Sequence, residues 1–256
     1  MTLELVTVPC LTDNYAYLLH DDQTGDTAII DFPESSALLA ALDIRGWTPT
    51  DAFITHHHDD HIQGLAEIRA LHPTMRVIGA AADAHRLPDL DLAVREGESL
   101  HAVGVEWQVF DVSGHTVGHV AYSVPAAKAV FTADSLMALG CGRLFEGTAE
   151  MMWESMQKLM KLPPDTLVCS GHEYTAGNAR FAVTIETGNA ELAARAEAVS
   201  RARSMDEPTV PSLLSLELAT NPFLRVHLAS VKQAVGMAGA TDAEVFAEVR
   251  ERKNRF

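Results

Sequence analysis

The chain has 256 residues, of which 35 are acidic and 19 are lysine or arginine, so its formal net charge at pH 7 is −16. This charge argues against nucleic acid as a partner, because neutralising phosphates requires clustered lysines and arginines. Hydrophobic residues make up 47% of the chain, but no apolar run approaches the roughly 20 residues that span a bilayer. The length fits one large globular domain, or a domain with an appendage.

The first third of the chain is predicted to form short strands joined by turns, and then alternating strands and helices. The predicted strands cover residues 3–11, 15–20, 26–31, 50–55 and 75–80, and the predicted helices cover 33–42 and 61–71. Turn signals such as Thr12-Asp13-Asn14 separate the strands, and apolar residues three or four positions apart mark the helices. This alternation indicates a sheet covered by helices.

The middle third is richer in predicted strands, and potential metal ligands follow three of them. Strands are predicted over 104–112, 119–124, 129–132 and 167–169, and a helix is predicted over 150–162. His115, Asp134 and His172 come shortly after the ends of the first, third and fourth of these strands. A loop at the end of a buried strand is a usual place for chemistry in α/β proteins. These three side chains are therefore candidate ligands.

From about Glu173 onward the pattern changes, and no strand alternation remains. Alanine-rich helical patterns run through 175–187, 190–205, 224–235 and 242–250, with prolines between them. We therefore predict an α/β (α+β) domain over residues 1–171 and a helical domain over residues 172–256.

Cysteine usage and the N-terminal residues both favour the cytoplasm. Cys10, Cys141 and Cys169 are odd in number, widely spaced and without C-x-x-C spacing, which argues against a disulfide framework. The start of the chain has no basic region followed by an apolar segment, so we expect no signal peptide.

The most informative segment is Thr55-His56-His57-His58-Asp59-Asp60-His61, which contains the pattern H-x-H-x-D-H. Imidazole suits zinc and iron, and carboxylate adds a harder ligand. His56 and His58 share a face if the chain is extended there, whereas Asp60 and His61 are adjacent and must diverge. The spacing predicts two metal ions, with His57 pointing away from both. A polar surface loop without a role is the weaker interpretation, because an apolar run precedes the segment.

The candidate ligands divide sensibly between two ions. We assign His56, His58 and His115 to the first ion and Asp60, His61 and His172 to the second, with Asp134 bridging both. Two ions about 3.5–4 Å apart that share a hydroxide form a hydrolytic centre, because the metals lower the pKa of bound water from about 15.7 toward about 7. This donor set accepts zinc, iron or manganese.

The end of the chain departs locally from the overall acidity. Arg250, Arg252, Lys253 and Arg255 lie within the last seven residues and are opposed only by Glu251. One interpretation is a basic tail that complements a helix C-terminus. The other is a patch that binds a small acidic substrate. The charges alone do not separate the two.

The order of the candidate ligands resembles that of the metallo-β-lactamase superfamily. Four further segments are similar to the glyoxalase II (hydroxyacylglutathione hydrolase) family within it: 11–15 (LTDNY), 140–148 (GCGRLFEGT), 171–175 (GHEYT) and 220–225 (TNPFLR). Together with Arg250-x-x-Lys253 they are spread along nearly the whole chain. The metal motif is specific only to the superfamily, whereas the other segments point to the family.

The resemblance implies a metallo-β-lactamase-like αββα sandwich followed by a C-terminal all-helical, substrate-binding domain. It also implies hydrolysis of S-D-lactoylglutathione to D-lactate and glutathione, the second step of methylglyoxal detoxification. A hydroxide bridging two divalent metal ions, most readily zinc, would attack the thioester while Asp60 and Asp134 hold the metals and orient it.

The family's glutathione contacts map onto Arg143, Tyr174, Arg250 and Lys253, which favours the substrate-binding interpretation of the basic tail. Several relatives carry tyrosine where this chain has Phe145, so one hydroxyl contact to the tripeptide is missing. Loss of such a hydrogen bond is worth about 0.5–1.5 kcal/mol.

Two other functions compete with this one. A persulfide dioxygenase of the same fold would use one iron held by two histidines and one aspartate, whereas this chain has a complete second set in Asp60, His61 and His172. A non-catalytic metal-binding module needs no open coordination position, and metal-dependent turnover would separate it from an enzyme. We expect a cytoplasmic monomer that acts on a small glutathione thioester, without a nucleic-acid or membrane partner.

Overall fold

The computed structural model describes residues 2–256. They form two compact units. Unit 1 comprises the chain up to Asp111 together with Val117–Thr132, and unit 2 comprises Val112–Thr116 together with Ala133–Phe256.

Unit 1 contains a six-stranded sheet, helices that cover it and part of a second sheet. The first sheet has the strands β1 (Leu3–Cys10), β2 (Asn14–Asp21), β3 (Thr27–Ile30), β4 (Asp51–Phe53), β5 (Arg76–Ala80) and β6 (Leu92–Val94), side by side in this order. The pairs β1–β2 and β2–β3 are antiparallel, and the strands from β3 to β6 are parallel. The helices are α1 (Ser35–Arg45), α2 (Asp59–Ile62) and α3 (Leu65–Leu71). To the second sheet, unit 1 contributes β7 (Ser99–Ala102), β8 (Val105–Asp111), β9 (Val120–Val124) and all but the last residue of β10 (Ala129–Ala133), in the order β10-β9-β8-β7.

Alternate residues of β4 belong to two different cores, because successive side chains of a strand point to opposite faces. Phe53 stacks on Trp107 of β8, with ring centroids 4.0 Å apart, and meets Tyr122 of β9 edge-on at 4.9 Å. These contacts join the faces of the two sheets. Ala52, in contrast, belongs to a cluster with Leu38 of α1. The strand that delivers the histidine segment is therefore buried on both faces.

The helix predicted over residues 61–71 is interrupted at Gly64. The Gly64 N–H donates to the Phe32 carbonyl at 2.9 Å, and a Cβ at Gly64 would lie only 2.8 Å from the Ser35 nitrogen. The chain therefore passes close to other backbone at this point, and two short helices, α2 and α3, replace one long helix. Strands β6 and β7 were not predicted from the sequence.

Unit 2 contains short strands and most of the helices. They are, in chain order, β11 (Leu136–Met137), β12 (Gly140–Cys141), α4 (Ala149–Leu159), β13 (Leu167–Ser170), α5 (Thr175–Ile185), α6 (Ala190–Ser204), β14 (Ser212–Leu213), α7 (Leu214–Thr220), α8 (Ala229–Ala234) and α9 (Asp242–Arg255). Thr148 and Asn189 cap α4 and α6, and Thr241 forms a capping box with Glu244 at the start of α9.

Two sequence predictions for the C-terminal region are wrong in detail. The segment beyond Glu173 does contain a strand, because β14 pairs with β13, and the helix predicted over 224–235 forms only as α8. Helix α7 was missed. It is stabilised by the buried Glu217, which pairs with Arg195 and accepts a hydrogen bond from Ser212, and such tertiary contacts leave no periodic signal. Within residues 2–256, every helix is too short or too polar to cross a membrane.

Candidate active site

The histidine segment lies in unit 1, directly after β4. His56 and His61 are fully buried. The Nε2 atom of His56 faces Nδ1 of His58 at 3.1 Å, and Nε2 of His61 lies 3.8 Å from a carboxylate oxygen of Asp60. The segment thus brings together the four donors that were predicted from it.

Asp31, at the end of β3, orients two of these histidines. One of its carboxylate oxygens accepts from the Thr55 hydroxyl at 2.8 Å and contacts Nδ1 of His61 at 2.8 Å. Because the Thr55 hydroxyl donates to Asp31, it can accept from Nδ1 of His56, which lies 3.0 Å away. Both rings are then held with the proton on Nδ1, which leaves Nε2 as the ligand atom. Carboxylates commonly orient metal-binding histidines in this way.

The neighbours of the four donors occupy other positions. Nδ1 of His57 contacts a carboxylate oxygen of the buried Asp83 at 2.9 Å, in keeping with the expectation that it is not a ligand. The His119 ring stacks on His56, with centroids 4.5 Å apart. The Asn14 side chain donates to the Asp60 carboxylate at 3.0 Å, which gives the 11–15 segment a contact with the histidine segment.

The other three predicted donors lie in unit 2 and meet one another there. One carboxylate oxygen of Asp134 lies 3.4 Å from Nε2 of His115 and 3.3 Å from Nε2 of His172. All three side chains are buried. Nδ1 of His115 donates to the Arg143 carbonyl at 2.8 Å, so Nε2 carries the lone pair. The Asp134 carboxylate thus contacts ring nitrogens of both other candidate ligands of unit 2.

These donors fit divalent metal ions. They are buried imidazoles and carboxylates, and the partners of three rings fix which nitrogen is available. Within unit 1, donor atoms of Asp31, His56 and His61 lie within 4.8 Å of one another, and Asp31 belongs to this group as the acceptor that orients His61. Such a set suits zinc, iron or manganese. Asp31 was missed in the sequence analysis, although it follows a buried strand just as Asp134 does.

Helix α9 supplies two of the predicted substrate-binding residues. Arg250 is buried and donates to the Cys141 carbonyl at 2.8 Å, and its guanidinium lies 5.2 Å from the Phe223 ring centre. Lys253 donates to the Gly177 carbonyl at 3.0 Å. Both cations are anchored on backbone carbonyls, which keeps their positive charge unneutralised.

The environment of Lys253 is strongly electropositive. Partial burial, and after it the charges of Arg250, Arg180 and Arg143, together lower its pKa to about 8. Arg143 was also predicted to bind substrate, whereas Arg180 was not. The four residues form a group that we call the cation cluster: Arg143, Arg180, Arg250 and Lys253.

Two aromatic residues flank the unit 2 donors. Tyr174 is partly exposed and stacks on His172, with centroids 4.6 Å apart and planes at 6°. Phe145 is 62% exposed and meets the His115 ring edge-on at 5.2 Å. A tyrosine at position 145 would therefore have room for its hydroxyl.

The segment 220–225 supports the β11–β12 ribbon. The buried Asn221 amide donates to the Met137 and Gly140 carbonyls at 3.1 and 3.0 Å, and the Glu217 carboxylate accepts from the Leu139 N–H at 2.8 Å. The ribbon ends at Cys141, whose carbonyl holds Arg250. The segment thus supports the ribbon that anchors Arg250.

Imidazole and carboxylate donors in loops that follow the strands of two face-packed sheets define a protein of the metallo-β-lactamase class. The family model described as the metallo-beta-lactamase superfamily matches residues 12–172, and the model described as the hydroxyacylglutathione hydrolase C-terminus matches residues 173–256. A hydroxyacylglutathione hydrolase from Ruegeria pomeroyi is 59% identical over 257 residues, covering 100% of both chains. The chain therefore belongs to the hydroxyacylglutathione hydrolase family, and the predicted fold class is confirmed.

Solved structures share the fold. A structure described as ETHE1 from Myxococcus xanthus is 24% identical with a TM-score of 0.69, and the match covers 99% of this chain and 92% of that one. A protein named TTHA1623, crystallised in a di-iron-bound form, is 28% identical with a TM-score of 0.55, and the match covers 66% of this chain and 91% of that one.

Proposed function

We propose that the chain hydrolyses S-D-lactoylglutathione and related S-2-hydroxyacylglutathiones to the 2-hydroxy acid and glutathione. The observation that carries this proposal is the 59% identity, over the full length of both chains, to a hydroxyacylglutathione hydrolase. A catalytic domain at residues 1–171, a substrate-binding domain at 172–256, a cytoplasmic location and a monomeric state belong to the same proposal.

The proposed ligands divide between two divalent metal ions. The first ion takes His56, His58, His115 and Asp134, and the second takes Asp60, His61, His172 and Asp134. The contacts of Asp134 with His115 and His172 support a bridging role. The di-iron form of TTHA1623 supports two metals. Zinc is the proposed metal because imidazole and carboxylate suit it, and iron or manganese would fit the same donors.

The cation cluster is proposed to bind the glutathione part of the substrate. Glutathione carries two carboxylates, and arginine and lysine are their usual partners. Arg143, Arg250 and Lys253 supply positive charge, and Tyr174 supplies a hydroxyl donor and an exposed ring.

The two metals, when bound, supply a nucleophile by lowering the pKa of water and polarise the thioester carbonyl. Asp31 keeps the ligand nitrogens of His56 and His61 free of protons, and Asp60 and Asp134 supply negative charge and orientation. The thiolate leaving group, with a thiol pKa near 8.5, departs with little protonation. A dedicated general acid is therefore unnecessary.

The test is loss of the thioester absorbance of S-D-lactoylglutathione, with and without chelator, with metal analysis of the same sample. We expect fast, chelator-sensitive hydrolysis at about two metals per chain. A fully metallated protein that does not hydrolyse the thioester would contradict the proposal. Oxygen uptake with glutathione persulfide would then indicate the dioxygenase, and inactivity in both assays would indicate a metal-binding module.

A further inference from the structure

Helix α9 carries two kinds of basic residue. Arg252 and Arg255 pair with Glu248 and Glu251 one turn earlier, at 2.7 and 3.2 Å. Across residues 2–256, in contrast, no carboxylate lies within ion-pair distance of Arg250 or Lys253, or of the cluster members Arg143 and Arg180. This concentration of unneutralised cations is notable in a chain with a net charge of −16.

Arg180 approaches the part of the backbone that supports Lys253. The Lys253 ammonium donates to the Gly177 carbonyl at 3.0 Å, and a guanidinium nitrogen of Arg180 lies 3.7 Å from the position that a Cβ of Gly177 would occupy. Arg180 thus bends back along α5 toward the turn that holds Lys253. Its side chain is exposed, so a dissolved anion can reach it.

Like charges held this close repel one another, and partial burial of Lys253 weakens the screening by water. Arg250 and Lys253 are held by backbone carbonyls, but these neutral acceptors leave the repulsion among the four positive charges in place. A bound anion would remove the repulsion. The cluster therefore has the electrostatics of an anion-binding site whose counter-charge comes from a ligand.

We infer that Arg180 is a substrate-binding residue that, together with Lys253, binds a carboxylate of the glutathione moiety. This inference rests on the proposed function. Arg180 lies outside the segments through which the sequence resembles the family, and it was reached from its place beside Gly177 and from the unneutralised cluster. It adds a solvent-facing cation to the buried Arg250 and the half-buried Lys253.

The test compares Arg180→Ala and Arg180→Lys with the wild type, each with its native metals. We expect Arg180→Ala to raise KM for S-D-lactoylglutathione about tenfold with kcat unchanged within about twofold, and Arg180→Lys to restore most of the affinity, since a tenfold change is about 1.4 kcal/mol. The matched control is Arg201→Ala, because Arg201 is an exposed arginine on α6 paired with Glu197 at 3.7 Å. If Arg180→Ala has the same KM as this control, the inference is wrong.

Salt dependence provides a readout that a purely structural role would not change. KM of the wild type should rise between about 50 and 300 mM NaCl, because salt screens exposed charges, and the rise should be smaller in Arg180→Ala. Equal slopes would contradict direct contact with the anion.

Calorimetric titration with glutathione and with γ-glutamylcysteine, which lacks the glycine, locates the carboxylate. If Arg180→Ala weakens the binding of glutathione but not that of γ-glutamylcysteine, Arg180 contacts the glycine carboxylate. If it weakens the binding of both ligands equally, Arg180 contacts the γ-glutamyl carboxylate. Unchanged affinity for both overturns the inference.

Hydrolysis and titration together distinguish a failure of this inference from a failure of the proposed function. Wild-type hydrolysis with no effect of Arg180→Ala would overturn the inference and leave the proposed function intact. If the metallated wild type does not hydrolyse the thioester, the proposed function fails, and glutathione affinity alone decides the role of Arg180. Equal affinity in wild type and variant, or binding to neither, would then overturn the inference as well.

Discussion

The histidine segment of unit 1 and the cation cluster of unit 2 are built on opposite principles. In the segment, Asp31 orients the His61 ring directly and the His56 ring through the Thr55 hydroxyl. In the cluster, Arg250 and Lys253 are anchored on carbonyls and lack carboxylate partners. The first region is prepared for a metal, whose ligands must be aligned beforehand. The second retains an unbalanced charge that an anionic ligand would neutralise. Substitution of the metal ligands should therefore lower turnover and metal content, and substitution of residues in the cation cluster should raise KM.

The largest effect is expected from Asp134→Ala. Because one Asp134 oxygen contacts both His115 and His172, its loss should reduce hydrolysis more than about 100-fold, the upper range for residues that merely orient ligands, and should lower metal content. Turnover and metal analysis of the same preparation measure both. Asp59→Ala, which removes an exposed carboxylate of the histidine segment, should leave both unchanged. Near-normal hydrolysis by Asp134→Ala at two metals per chain would rule out the bridging role.

The next effect is expected from replacing Arg250 and Lys253 together by alanine. Loss of two charged hydrogen-bond donors, each worth about 1.5–3 kcal/mol, should raise KM about 100-fold or more, with a much smaller change in kcat and full metal content. The control is the double variant Arg252→Ala and Arg255→Ala on the same helix, whose residues pair with glutamates. Thermal melting checks that both variants fold. An unchanged KM would mean that the tail is only structural.

A smaller effect is expected from pH through Lys253. Burial and the nearby Arg250, Arg180 and Arg143 lower its pKa from the usual 10.5 to about 8, so the free enzyme loses this charge as pH rises through about 8. KM should be nearly constant below pH 7 and rise severalfold by pH 9.5. Binding of a carboxylate raises the pKa again, so binding near pH 9 should take up a proton, which calorimetry in different buffers measures. Lys253→Arg keeps its charge and should remove the rise, and a flat wild-type profile would contradict this assignment.

The smallest effect is expected from Phe145→Tyr. The ring is exposed beside His115, so a hydroxyl can reach solvent or substrate without displacing other atoms. One added hydrogen bond of about 0.5–1.5 kcal/mol should lower KM about two- to tenfold, with kcat unchanged. Tyr174→Phe removes a hydroxyl instead of adding one, and it should raise KM by a similar factor. If KM stays the same in Phe145→Tyr, position 145 does not contact the tripeptide.

Residues far apart in the chain explain what the sequence analysis missed. Asp31 lies 24 residues from Thr55, and Arg250 lies 109 residues from Cys141, and no local period connects either pair. Gly64 lies inside the helix predicted over 61–71, and the close approach of Phe32 and Ser35 interrupts that helix there. Arg180 was not singled out, because the helical pattern over 175–187 does not reveal that Lys253 lies nearby. Each role depends on a neighbour that only chain folding brings close.

The sequence by itself determined the donor types, their placement after buried strands and the helical character of the C-terminal region. These properties follow from residue chemistry and from periods of two and 3.6 residues, which are local. Only the tertiary structure decided which nitrogen of His56, His61 and His115 is available, which cations of the tail lack a counter-charge, and which polar residues hold the ribbon that anchors Arg250. Protonation and net electrostatics depend on the distances to all neighbouring groups, and those distances are set by packing.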